Sequence, residues 1–330
     1  MRFLALAGVL ALSPAMAVAG SQGDWFASLY TGDGVELRND ERVFTLFAVF
    51  NALGFDQGPV TRKEPVPKIT YHPVRQTVRG RVIGGDPEVR KAAEAFFDAH
   101  PSSLRTYLSY AVAGGQPPFK DEGKTVAELK GFNAVLAKAW AGWKLEDLMG
   151  QVQAEYRKTL KTYLPVIDKP LAKTREALKV PEATETLLVV NLLDAHDQVR
   201  AVPGDGVVFV IVGPAEKPNV DGLLREFARV WVEPVVAKKA SSWAGGPTLL
   251  REAQLAGAPE QTVADYATSL ISAAVAMRSI DADDAAYEAA AARGYFGLKD
   301  VAKMFDEGRP LDAWVMDALQ KVETRRPAKK

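Results

Sequence analysis

The chain has 330 residues, with 41 basic side chains against 41 acidic ones and no cysteine. Balanced charge gives no electrostatic preference for nucleic acid or for an anionic membrane surface. The absence of thiols excludes disulfides, thiolate metal sites and a lipid-modified cysteine.

Residues 1–20, "MRFLALAGVLALSPAMAVAG", set Arg2 ahead of an apolar run that ends in small residues, the build of a secretory signal peptide. Ala15-Met16-Ala17 and Ala17-Val18-Ala19 both fit small-x-small cleavage. Residues 1–19 are therefore assigned to a signal, and the mature protein is expected in the periplasm or outside the cell. Roughly 310 residues then remain, enough for a substantial core, and no later run reaches the ~18 apolar residues that a membrane span needs. The basic end, "ETRRPAKK", reads as a solvated terminus.

Across 40–53, Val43, Leu46, Phe47, Phe50 and Leu53 recur at helical spacing and Gly54 supplies a stop, which predicts an amphipathic helix. From 57 to 85 the chain is rich in Pro and Gly and reads as a long connection with one or two short strands, "TVRGRVI" being strand-like. Asp86 as N-cap and Pro87 at the first helical position open a helix with Val89, Ala93, Phe96 and Phe97 on one face, ended by Pro101. A second helix over about 102–113 stops at Gly114. Thr125-Val126-Ala127-Glu128 is a capping box that opens another, and helical pattern continues with breaks to about Lys179. The texture then changes. "TLLVVNLL", "QVRAV" and "VVFVIVG" are apolar, β-branched runs separated by "DAHD" and "PGDG", predicting adjacent, hairpin-linked strands over about 186–213. From Asn219 the pattern is helical almost to the end. The fold class is α+β and mainly α-helical: a helical part over about 40–180, then the sheet and C-terminal helices over about 185–322.

The stretch "LLREFARVWVEPVV", on a helix over about 220–236, has the frame of the zinc-peptidase motif His-Glu-x-x-His, with Arg225 and Arg229 where the histidines would stand. Positions 225 and 229 are one turn apart and share a face. On the plainer reading, Val220, Leu223, Leu224, Phe227 and Trp231 form the buried stripe while Arg225, Glu226 and Arg229 face solvent.

"VVFVIVGP", "NVDGLLREFARVWVEPVV", "DYATSLISAAVAMR" and "RGYFGLKDVAKMF" together resemble an uncharacterised family of secreted bacterial zincin-like metallopeptidases of the gluzincin type. There a strand and a glycine-containing loop lead into a helix of the form His-Glu-Phe-x-His-x-Phe-Val-x-Pro. Glu226, Phe227, Val232 and Pro234 keep those places, and Trp231 is an aromatic at the second Phe position. "RVFTLFAVFNALGF" and "AFFDAHPSSLRTYLSYA" are similar to the family's early helices. The resemblance implies one zincin-like region over 20–330, whose sheet offers an edge for a peptide and whose next helix carries the metal ligands. It also implies Glu226 as general base and a third, glutamate ligand on the following long helix. The alignment offers Thr268 and Ser269 there, with Glu260 and Asp265 the nearest acids.

The ligand histidines are missing, and a guanidinium has no lone pair to replace them. Two fixed positive charges would also repel a divalent cation. No metal and no cofactor is therefore expected, and Glu226 is a vestigial base with no metal-bound water to deprotonate. The expectation is a metallopeptidase-like pseudoenzyme acting by binding. Arg225 and Arg229 would hold the carboxylate of a peptide or an acidic small ligand, with Glu226 orienting one of them; the plainer alternative is an internal Arg225-Glu226-Arg229 salt bridge. Two other classes stay open: an active metal-dependent hydrolase using other acids, such as Asp194, Asp197 or Glu226, and a structural helical envelope protein. His72, His100 and His196 are not at ligand spacing and read as helix-end or turn residues. Ser241-Ser242 has no histidine close in sequence, "GDGVV" lacks a phosphate-cradling pattern, and Trp140 and Trp143 read as core. Neither nucleic acid nor a membrane span is expected among the partners.

Overall fold

The computed structural model describes residues 28–30, 35–54, 70–121, 127–305 and 309–324. The signal peptide assignment lies outside them. Strands β1 (Ser28–Tyr30) and β2 (Glu36–Arg38) lead into helix α1 (Glu41–Leu53), which starts where the Asp40 carboxylate accepts from the backbone N–H of Arg42 and Val43 at 3.0 and 3.3 Å. Gly54 closes α1 at φ 72°, a left-handed conformation that glycine adopts without steric penalty. The helix is not amphipathic as expected: every residue from Arg42 to Ala52 is buried. Its polar side chains are satisfied internally, Thr45 Oγ1 donating to the Glu41 carbonyl at 2.7 Å and Asn51 Nδ2 to the Leu193 carbonyl at 3.4 Å.

The strand expected at "TVRGRVI" is instead helix α2 (Pro73–Ile83). His72 caps it, accepting from the Val74 N–H at 3.2 Å, and Pro73 supplies the first helical φ. The buried valines Val74, Val78 and Val82 recur every four residues, so the helical period outweighs the β-branched composition. Helices α3 (Pro87–Ala99) and α4 (Leu104–Ala113) follow with Asp86 and Ser103 as N-caps, close to expectation. Thr125 and Val126 of the expected capping box lie outside the described residues; its described part, Ala127 and Glu128, lies in a 3₁₀ turn over Ala127–Leu129, and α5 (Phe132–Gly142) starts after Gly131 at φ 89°. Then come α6 (Leu145–Gln151) and the 25-residue α7 (Gln153–Ala177). Phe97, Tyr107 and Phe132 meet edge to face in the core around α1, with ring centroids 4.6 Å (Phe97–Tyr107) and 5.0 Å (Tyr107–Phe132) apart.

The remaining strands are β3 (Glu185–Val190), β4 (Val199–Pro203) and β5 (Val207–Val212), in a five-stranded mixed sheet of order β1-β2-β3-β5-β4. Of the three segments expected to be hairpin-linked, only β4 and β5 form a hairpin. β3 runs parallel to β5, Glu185 opposite Val207 through Val190 opposite Val212, and β2 runs parallel to β3. The near-continuous burial of β3 and β5 suits central strands, and the partial burial of β4, with Pro203 exposed, suits an edge.

The sheet is the middle of three layers. Arg42 of α1 lies 5.2 Å from the Phe209 ring centroid of β5, and Arg200 of β4 lies 5.8 Å from the Phe47 ring of α1. Thr186, which pairs with Val208, instead accepts from Arg175 of α7 at 2.7 Å. Successive strand residues point to opposite faces, so α1 and α7 flank the sheet from opposite sides. Helix α8 (Val220–Ala237) packs beside α7 and against β4 and β5. α9 (Gly246–Leu255), α10 (Val263–Ser279), α11 (Asp284–Ala292), α12 (Leu298–Met304) and α13 (Leu311–Thr324) complete the described chain, with α10 running along α8. No described helix is long and apolar enough to cross a membrane.

Candidate functional site

Helix α8 begins at Asn219, whose side chain accepts from the Gly222 N–H at 2.9 Å. Of the expected stripe, Leu223, Leu224 and Phe227 are fully buried, while Val220 and Trp231 are half-buried; Ala228, Val230 and Val232 join the core. The stripe is wider than the sequence suggested because α8 is flanked by both the sheet and α10. For the same reason Arg225, Glu226 and Arg229 are half-buried and do not stand free in solvent.

The three charged residues face different neighbours. Arg225 Nη2 pairs with Asp221 Oδ2 at 2.8 Å, one turn back. Arg225 Nε and Asp221 Oδ1 are buried and have no hydrogen-bond partner among the described residues. Beyond them the Tyr295 hydroxyl donates to Glu260 Oε1 at 2.8 Å; burial and Glu260 push that hydroxyl up to about 12, against the pull of Arg225. Arg229 Nη2 donates to Ser269 Oγ of α10 at 3.0 Å.

Glu226 turns the other way, since adjacent helical residues diverge by about 100°. It faces Arg105 of α4 and Arg200 of β4 together with Arg229 and Glu233 of its own helix. Arg105 is paired with Glu233 at 2.9 Å, and Arg200 with Asp194. Glu226 itself makes no hydrogen bond or close ion pair among the described residues. Burial raises its carboxyl; Arg229, Arg105 and Arg200 oppose that rise and Glu233 adds to it. The internal Arg225-Glu226-Arg229 bridge considered from the sequence does not form, because the arginines are engaged by Asp221 and Ser269.

The resemblance implies zinc, and the residues present do not fit it. Two guanidiniums and a hydroxyl occupy the three aligned positions, 225, 229 and 269, and none offers an imidazole nitrogen or a carboxylate. Among the described residues no three His, Cys, Asp or Glu side chains come together as a metal-holding group. Asp194 is 4% exposed and tied to the Ala195 N–H at 2.8 Å as well as to Arg200. Asp197 sits in a turn at φ 60°. Thr268 is buried in α10, and Asp265 accepts from the Thr262 hydroxyl at that helix's N-terminus.

The histidines are end and turn residues. His100 stacks on Phe96 with ring centroids 4.1 Å apart, and its Nδ1 lies 3.0 Å from the Phe96 carbonyl oxygen. His72 caps α2, with Nε2 3.8 Å from Glu155; burial lowers its basicity, and the nearby His196 adds to that. Trp143 is buried and its neighbour Trp140 packs against the core.

Arg105, Arg200, Glu233, Asp221 and Tyr295 were not singled out from the sequence. Asp221, four residues before Arg225, was open to the helical pairing rule; Arg105, Arg200 and Tyr295 come from other elements and carry no local signal. Three described cavities lie elsewhere: 580 Å³ where the C-terminal ends of α7 and α10 meet, 560 Å³ along α2, and 360 Å³ beside Trp143. Comparison of the chain with protein-family models, with curated proteins and with solved structures returns no match.

Proposed function

We propose that this protein is an exported, zincin-like relative of the metallopeptidases that has given up metal chemistry and acts by binding. Arg229 takes the carboxylate of a peptide or other acidic ligand on the side of α8 that looks toward edge strand β4. The observation that carries this reading is the 3.0 Å hydrogen bond from Arg229 to Ser269. It joins the second arginine of Arg-Glu-x-x-Arg to the α10 residue aligned with the missing third ligand. Further support comes from the element order, a strand and loop leading into α8, and from β4 as an antiparallel edge strand beside it. Arg105 and Arg200 flank Glu226 but are paired with Glu233 and Asp194, which leaves Arg229, hydrogen-bonded to a neutral hydroxyl, as the guanidinium to meet an anionic group. Arg225, held by Asp221, has the smaller part.

Trialanine with a free carboxylate and its C-terminal amide, titrated into wild type and Arg229→Ala, test the binding role. The acid is expected to bind at least about tenfold tighter than the amide, about 1.4 kcal/mol, and Arg229→Ala is expected to erase that difference. Equal binding of acid and amide, or binding of neither, rejects it. The zincin alignment has its own test in zinc calorimetry. Arg225→His with Arg229→His should bind zinc weakly, and adding Ser269→Glu should tighten it at least about tenfold. A triple variant with unchanged circular dichroism and no zinc affinity overturns the alignment.

A further inference from the structure

Helix α7 turns one row of side chains into the core and another away from it. Tyr156, Leu160, Tyr163, Ile167, Leu171 and Thr174 recur at three- and four-residue steps and are buried. The outward row keeps the same rhythm: Lys158, Lys161, Pro165, Lys169 and Lys173 are all exposed. At 1.5 Å per residue, Lys158 and Lys173 stand about 22 Å apart. Arg157 is exposed as well and borders the row. Lys173 pairs with Asp281 at 2.6 Å and still leaves 49% of its side chain open. Of the carboxylates on the helix, Glu155 and Asp168 are half-buried, and Glu176 lies beyond Lys173 towards the C-terminus.

The middle of the row is apolar. Pro165 is exposed and Val166 is 38% exposed, with Lys158 and Lys161 before them and Lys169 and Lys173 after. Ile280, 37% exposed, comes close to this face because its neighbour Asp281 meets Lys173. Lysine stems lie along apolar surface while their ammonium heads reach outward, so one surface presents both. The balanced charge of the whole chain does not cancel the row, since charges are screened beyond about 8 Å at physiological ionic strength. An anionic bilayer complements both features, with phosphates for the ammonium groups and the headgroup boundary for small apolar side chains. A soluble polyanion complements only the first.

We infer that the outward face of α7 docks on an anionic lipid bilayer, Lys158, Lys161, Lys169 and Lys173 meeting lipid phosphates while Val166 and Ile280 rest in the headgroup layer. The inference does not depend on the reading of α8. Flotation of the whole protein with vesicles of pure phosphatidylcholine, and with vesicles containing about one third phosphatidylglycerol, provides the test. The anionic vesicles should bind at least about tenfold more tightly, and salt at about 1 M, where the screening length falls to about 3 Å, should release the protein. A lysine near an anionic surface contributes about fivefold, so Lys158→Glu with Lys169→Glu should weaken binding at least about tenfold, with helicity intact. Arg90→Glu with Lys91→Glu makes the same change of charge on α3, which packs with α1 on the other side of the sheet, and should leave binding unchanged. Val166→Asp should weaken binding to the anionic vesicles and leave binding to inorganic polyphosphate as it is. Equal binding of the two kinds of vesicle, or equal losses from the α3 and α7 pairs, overturns the inference. So does a wild type that binds polyphosphate as tightly as vesicles while Val166→Asp alters neither, which is the behaviour of a plain polyanion site.

Discussion

Asp40 and Glu41 are adjacent in sequence and respond to burial in opposite ways. Asp40 is 3% exposed and accepts five hydrogen bonds: from Arg38 Nη2, from the Arg42 N–H, Nε and Nη2, and from the Val43 N–H. Burial alone would raise its carboxyl, but Arg42 and Arg38 outweigh that and hold it at about 2. Its contribution to stability is therefore fully present above its ordinary value of 3.8 and is lost as pH falls through about 2. Asp40→Asn takes from the buried Arg42 its ion-pair partner and leaves Arg38 with Glu36 at 3.8 Å, and should cost about 3–5 kcal/mol in urea denaturation at neutral pH. For Glu41 burial wins, helped by Asp40 and Glu146 and opposed by Arg38 and Arg42, and its carboxyl is pushed up to about 7. Here the folded state holds the proton longer than the unfolded chain does, so stability declines as pH rises from 4.5 to about 7. Glu41→Gln should flatten that decline, measured as the urea midpoint across the same interval; an unchanged slope would show that Glu41 is ionised throughout.

At the scale of elements, α8 and α10 form the densest helix pair, and Phe227 sits fully buried at 0% exposure within it. Phe227→Ala should lower stability by about 3–5 kcal/mol, read as a fall in the urea midpoint with an unchanged m-value. The helices with local end signals were legible: Asp86-Pro87 opens α3, and Gly54 stops α1. α2 was misread because five β-branched residues mask a four-residue valine repeat, and because His72 as a cap lies outside the usual Ser, Thr, Asp and Asn signal. β1 and β2 have three residues each, too few to show alternation. Within the motif helix, the frame and the apolar residues were legible. Of the partners, Ser269 was offered by the resemblance, while Arg105 and Arg200 meet α8 only through the fold.

The whole molecule stands on a three-layer core without disulfides, and nothing in the described side chains builds a metal site. Chelation with EDTA should accordingly leave its Tm unchanged; a fall in Tm on chelation, reversed by zinc, would reveal a structural metal that these residues do not account for. The sequence by itself determined composition class, the balance of charge, the existence of most helices, the three main strand segments and the Arg-Glu-x-x-Arg frame, since all of these rest on local periodicity and capping. Only the tertiary structure decided which strands pair: β5 enters between β3 and β4, a choice governed by which strands can be covered on both faces and not by any turn residue. It alone decided, too, that Glu226 would face the guanidiniums of Arg200 and Arg105, because these partners sit on elements that lie 26 and 121 positions earlier in the chain.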